Sequence, residues 1–303
     1  MTEMPVMEIR SYIETIEQDT VLYEEKNFDK RVEVIDFIEF QIIDQLETLL
    51  PKTMQVDELS LLKHRAEKLK SKLEATDSRL FQSLREKIRQ EGCAGGKFIK
   101  LVNEYLDLSL DDSERYEEPA YDKLDIFVNG LCFHSPVPEQ TKELELEMVY
   151  YQKTPARIVF ELVERTHLAK DDVFVDLGSG LGQVAILVNL LTGITSIGIE
   201  FETAFCNYSR DCAAELNLSQ VRFINVDVRK ADYTTGTVFF MFTPFKGNIM
   251  QDVLEMLRKE SMQRKIRIIT YGPCAAQVSR QNWLQNADTG NDNIYRPVVF
   301  MSC

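Results

Sequence analysis

Val173-Phe174-Val175-Asp176-Leu177-Gly178-Ser179-Gly180-Leu181-Gly182-Gln183-Val184 decides how this chain is read. Aromatic and β-branched residues ending in an acid suit a buried strand, and the apolar run after Gln183 suits a helix. The three glycines between them permit positive φ and remove side chains where a ligand must touch backbone. A helix starting near Gln183 turns its free N–H groups to the same place. In an open α/β sheet, ligands bind beyond the carboxyl ends of the strands. These twelve residues therefore predict a strand–turn–helix site, with Asp176 beside it able to hold a ligand's ammonium group.

Working outward, strands and helices alternate from Thr154 onward. A helix is expected over Pro155–His167, with Thr154 as cap and Pro155 in its first turn. Strand Val173–Asp176, helix Gln183–Leu191, strand Thr195–Glu200, helix Ala204–Leu216 and strand Val221–Val226 follow. Strand Val238–Phe242, helix Asn248–Glu260 and strand Ile266–Tyr271 continue the alternation, and an antiparallel pair around Asp288–Asn293 ends it at Pro297–Met301. Such a pattern predicts an α/β, Rossmann-like doubly wound sheet, mostly parallel, with helices on both faces.

The first part of the chain has the period of helices. Val34, Phe37, Ile38, Ile42, Leu46 and Leu49 mark one between Arg31 and Leu50, stopped by Pro51. A second is expected from Asp57 to Ala75, a third capped by Asp77 or Ser78, and a fourth over Lys97–Leu108. The breaks favour a compact bundle over a coiled coil. Residues 1–110 are thus read as an all-helical N-terminal domain and 154–303 as the sheet domain. Residues 111–153 are a connector, either a lid or a plain linker, with a short hairpin at Asn129-Gly130.

At the later strand ends stand further acids. Glu200 closes the second strand and can accept both hydroxyls of a ribose. Asp227 closes the third, placed to accept an adenine amino group, with Val228 offering backbone and an apolar contact. A dinucleotide loop requires glycine at its sixth position, where Gln183 stands. The run from Asp176 through Gly178, Gly180 and Gly182 resembles instead the S-adenosylmethionine loop of class I methyltransferases. Beyond the fourth strand, Phe242-Thr243-Pro244-Phe245 resembles the segment that faces the transferring methyl in such enzymes. Thr243 stands where amino-methylating nucleic-acid enzymes carry Asn or Asp, and it lacks their amide or carboxyl oxygen.

A closer resemblance covers Val149–Phe245, about a third of the chain. Val149-Tyr150-Tyr151-Gln152-Lys153-Thr154, with Asp171 through Val184, looks like the non-SET (telomeric-silencing-disruptor type) histone lysine methyltransferases. That resemblance implies S-adenosylmethionine as cofactor, held by Asp176, Gly178, Gln183, Glu200 and Asp227. It also implies that Tyr150–Thr154 closes over the methionine end. Thr243 departs from the family's Asn-rich fourth-strand motif, and its basic nucleosome-binding extension has no counterpart here. The expected activity is methyl transfer to a protein or small molecule by in-line displacement, with no metal. Thr243, Phe245 and Tyr151 are the candidates nearest the reacting atoms, with Tyr150 and Tyr271 as further acceptor contacts. An NAD-type oxidoreductase and a non-catalytic binding module are the alternatives.

Composition bounds the rest. The 303 residues are 44% hydrophobic and 28% charged, with no apolar run long enough to span a bilayer and no signal-peptide pattern at the start. Six scattered cysteines favour reduced thiols and a cytoplasmic location. Residues 1–167 hold 22 Lys/Arg against 35 Asp/Glu, and 168–303 hold 13 against 14. An acidic front half disfavours nucleic acid as substrate and slightly favours a basic partner. The helical region also offers a surface for oligomerisation.

Overall fold

The structure is a computed structural model that describes residues 5–52, 56–108, 121–133, 136–287, 293 and 295–303. By contacts the chain divides into two compact units, one of Met1–Leu84 with Leu101–Leu108, the other of Arg85–Lys100 with Ser109–Cys303.

The first unit is helical. It contains α1 (Val6–Gln18), α2 (Phe28–Phe37), α3 (Asp44–Leu49) and most of α4 (Val56–Glu91). Ile9, Ile13, Ile38, Ile42, Leu46, Leu62, Leu69 and Leu73 form its core. Between α2 and α3, Ile38–Ile43 form a π-helical segment, so the single helix expected over Arg31–Leu50 carries an irregularity in its middle.

The expected break at Asp77 is absent: α4 runs unbroken for 36 residues. Thr76 and Ser78 donate their hydroxyls to the carbonyls of Lys72 and Glu74, four residues back, and so stop competing with the helix. Asp77 is spent elsewhere. Arg31, fully buried, donates through Nε to its carboxylate at 2.6 Å and through Nη1 to the carbonyls of Leu22 and Glu24. A distant partner thus overrides a local capping signal.

The second unit holds a seven-stranded sheet of order β3-β2-β1-β4-β5-β7-β6. Its strands are β1 (Val173–Leu177), β2 (Thr195–Glu200), β3 (Val221–Asn225), β4 (Val238–Met241), β5 (Arg267–Thr270), β6 (Leu284–Asn286) and β7 (Val298–Ser302). The first five are parallel; β7 runs antiparallel to β5, and β6 antiparallel to β7. The final antiparallel pair is present, while its expected turn at 288–292 lies outside the described residues. Order reverses between β1 and β4, which makes the carboxyl end of β1 the switch point of the sheet.

Helices α5 (Gly96–Asn103), α6 (Lys123–Cys132), α7 (Ala156–Thr166), α8 (Gln183–Thr192), α9 (Thr203–Glu215), α10 (Gly247–Ser261) and α11 (Ala275–Val278) complete the chain. Asn129-Gly130 lies inside α6, so no hairpin forms there. Asp122 and Asp125 start that helix as a reciprocal capping box, and Lys153 Nζ donates to Asn129 Oδ1 at 2.7 Å. Arg85 donates to the Gly130 carbonyl at 2.6 Å. Asp125 also accepts the Ala156 N–H at 2.8 Å, joining the start of α6 to that of α7. Among the described residues, no helix is long and apolar enough to cross a membrane.

Candidate active site

The turn after β1 is bonded to the end of β2. Gly178 and Ser179 both donate N–H to the Ile199 carbonyl, at 2.9 and 3.0 Å. Gly180 N–H donates to Glu200 Oε2 at 2.7 Å, and Glu202 N–H to Glu200 Oε1 at 2.7 Å. Gly178, Gly180 and Gly182 all have positive φ. At Gly178 and Gly180 the space is also taken: a Cβ would meet Pro244 Cβ at 2.4 Å and the Tyr151 ring at 2.1 Å. The turn is thus pressed between the segment after β4 and the segment before α7.

A cavity of about 290 Å³ opens there. Asp176, Gly178, Gly180, Gln183, Glu200, Val228, Tyr150, Tyr151, Thr243 and Phe245 all line it. Three expected residues are not among the lining ones. Gly182 packs against Phe223 and Ser209; Tyr271 is buried with its ring 4.6 Å from that of Phe242. Asp227 sits at the end of β3 with its carboxylate taken by Arg229, which donates from backbone N–H at 2.8 Å and from Nε at 3.0 Å to Oδ1.

Asp176 is 3% exposed, and among the described residues nothing donates to it. Burial, and then the charge of Glu200, push its carboxyl up to about 8. Burial also raises Glu200, although its backbone N–H donors pull the other way. Burial and Asp176 together raise the Tyr151 hydroxyl. Two further buried polar atoms on the cavity wall, Ser179 Oγ and Gln183 Oε1, have no partner. Among the described residues, no Lys, Arg or His lines the cavity. The wall therefore offers acidic groups ready to ionise against a cation, and unfilled acceptors.

Thr243 occupies the left-handed region at φ 42°, an outlier for a β-branched residue. Its Oγ1 accepts the Cys274 N–H at 3.2 Å and donates to the Tyr271 carbonyl at 3.4 Å. The hydroxyl is therefore used to hold the turn after β5.

Residues 140–154, where the resemblance implied closure only by Tyr150–Thr154, supply much of the wall. Thr141 and Lys142 donate N–H to Glu202 Oε2 at 3.0 and 2.7 Å, and the Thr141 hydroxyl donates to Oε1 at 2.6 Å. Burial opposes ionisation of Glu202, but these donors and Ala204 N–H hold it down to about 2. Glu147 accepts from Ile249 N–H and Asn248 Nδ2 at the start of α10. Met148 then pairs antiparallel with Phe245, and Val149 N–H donates to the Pro244 carbonyl at 3.1 Å. Glu202, which anchors this strap, caps α9 two residues after the end of β2.

Residues 145–292 match the family model described as histone methylation protein DOT1, about half of the chain. No curated protein matches by sequence. Among solved structures, an RNA methyltransferase from Salinibacter ruber with S-adenosyl-L-homocysteine is 21% identical, covering 50% of this chain and 92% of that one, with a TM-score of 0.40. A SAM-dependent methyltransferase from Aquifex aeolicus is 16% identical, covering 50% and 94%, with a TM-score of 0.39. With the family match lying over the glycine turn and strand-end acids, the chain is a class I S-adenosylmethionine-dependent methyltransferase whose core resembles DOT1. S-adenosylmethionine is its cofactor.

Proposed function

We propose that this enzyme transfers the methyl group to a protein or small-molecule acceptor by in-line displacement, with the cofactor held in the cavity beyond β1. The observation that carries this reading is the buried Asp176 carboxyl group, unpartnered beside Glu200 on a wall to which no cation contributes among the described residues. A ligand bearing an ammonium group and a vicinal diol fits that arrangement. Asp176 would take the ammonium, and each Glu200 oxygen, which already accepts one backbone N–H, keeps a lone pair for a ribose hydroxyl. Gln183 Oε1 and Ser179 Oγ supply the polar contacts that they now lack inside the protein. Gly178 and Gly180 let the turn approach the ligand and Val228 gives an apolar contact for the base, while Gly182 serves the packing of the turn and Asp227 holds Arg229.

S-adenosylmethionine supplies a methyl group on a sulfonium, which is its own leaving group. The protein's task is then alignment and exclusion of water. Tyr151, on the turn, and Phe245, paired with Met148, form the walls between which an acceptor would be aligned. Their aromatic faces also suit a sulfonium's positive charge. Tyr150, Phe242, Thr243, Pro244, Phe245 and Pro273 bring no carboxylate, amine or imidazole to the wall themselves, so a protonated acceptor would lose its proton to water. The family match leaves the nicotinamide alternative without support.

Calorimetric titration with S-adenosylmethionine tests the placement. Wild type is expected to bind, and Glu200→Ala to lose about 2 kcal/mol, the worth of hydrogen bonds to a charged group. Equal binding by the variant would sink the assignment. A labelled-methyl screen over separated protein and metabolite fractions of a cell extract then separates the two acceptor classes.

A further inference from the structure

The strap is fastened at two places by hydrogen bonds to fixed structure, at Glu202 and along residues 147–149. Between them, at Glu145, the fastening is ionic. Arg229 Nη2 donates to Glu145 Oε1 at 2.6 Å and Nη1 to Oε2 at 3.1 Å. The same Nη2 donates to Asp227 Oδ2 at 2.5 Å, while Nε spans both Asp227 oxygens at 3.0 and 3.2 Å. One guanidinium therefore joins the middle of the strap to the end of β3. Leu144 and Met148, on either side of Glu145, line the cavity, and so does Val228, next to Arg229. The Glu145–Arg229 pair thus bridges two segments that each contribute to the cavity wall.

We propose that Arg229 is a positioning residue that latches the strap to Asp227 and so slows departure of the bound nucleoside. This rests on the cofactor placement proposed above. Glu145 is half exposed and Arg229 about a quarter exposed, so the pair is of the partly solvated kind. Such pairs contribute modestly, which here corresponds to about a two- to fivefold change in release rate. They are also screened by salt. A merely structural contact would show neither effect.

The test uses the full chain loaded with tritium-labelled S-adenosylmethionine and chased with excess S-adenosylhomocysteine. Glu145→Gln changes an exposed side chain and is expected to release label about two- to fivefold faster. Wild-type release is expected to quicken from low to high ionic strength, and that of Glu145→Gln to stay flat. Arg229→Gln should also release faster, with the double variant no faster than Arg229→Gln alone. Wild-type retention of label with an unchanged rate in Glu145→Gln, or an equal salt response in both, overturns the latch alone. Failure of wild type to retain any label overturns the cofactor placement and the latch together.

Discussion

Two carboxylates withdrawn from solvent to different degrees, one in each unit, face opposite circumstances. Asp77 in α4 is pushed up by burial, but it has Arg31 against it, and Arg31 in turn donates to two carbonyls. Asp176 at the end of β1 is buried more deeply and has Glu200 as its charged neighbour, of the same sign. A paired buried charge holds two helices together. An unpaired one costs the folded protein stability and waits for a cation from outside. The contrast separates an architectural acid from a binding one without reference to either sequence position.

The largest effect is expected at the paired site. Asp77→Ala leaves the Arg31 guanidinium buried without its counter-ion, and should destabilise the protein by about 3 kcal/mol or more. Denaturant unfolding measures this; a loss under about 1 kcal/mol would place Asp77 among ordinary surface acids. At the unpaired site the sign reverses. Asp176→Asn should raise the melting temperature of the ligand-free protein, because a neutral amide replaces a carboxyl that resists ionisation. The same change should weaken S-adenosylmethionine by about 2 kcal/mol. If both stability and affinity fall, the acid is structural and the comparison fails.

The finest discrimination comes from pH. With its folded value raised to about 8, Asp176 keeps its proton where the unfolded chain has lost it. Its contribution to stability is therefore full below the unfolded carboxylate range and drains away as pH rises from about 4 towards 8. An arriving ammonium favours the ionised form, so ligand uptake near neutral pH should release up to about one proton. Titrations in buffers of different ionisation heat count it, and Asp176→Asn should abolish the release. Glu202 works the other way: held down to about 2, it steadies the strap at neutral pH and loses that hold only as pH falls from about 4.5 towards 2.

The sheet was largely legible because its signals are local. Val173–Asp176 and Thr195–Glu200 are apolar runs bounded by turn residues, and their observed ends fall within a residue of the expected ones. The acids at those ends were found because a strand end is where a parallel sheet binds. What escaped depends on partners remote in sequence. Asp77 reads as a cap until Arg31, 46 positions earlier, is placed beside it. Asn129-Gly130 reads as a turn until the Asp122 capping box starts a helix through it. Ahead of Val149 the strap has neither period nor motif, since its anchors at Glu202, Arg229 and the start of α10 lie about 60 to 100 positions away. Thr243 was legible as a departure, but that its hydroxyl turns to the Cys274 N–H follows from the adjacency of β4 and β5.

The contact of Tyr151 with the bare backbone of Gly180 has a consequence for how this site changes over generations. The ring fills the volume that a methyl group at 180 would need, its nearest carbon 2.1 Å away. Position 180 cannot drift first: its positive φ strains any side chain there, and a methyl group would also find room only where 151 has already shed its ring, a change that would open the mouth of the cavity. Substitutions at these two sites should be inherited as a couple, with a wider range of acceptors as the trait that travels with them.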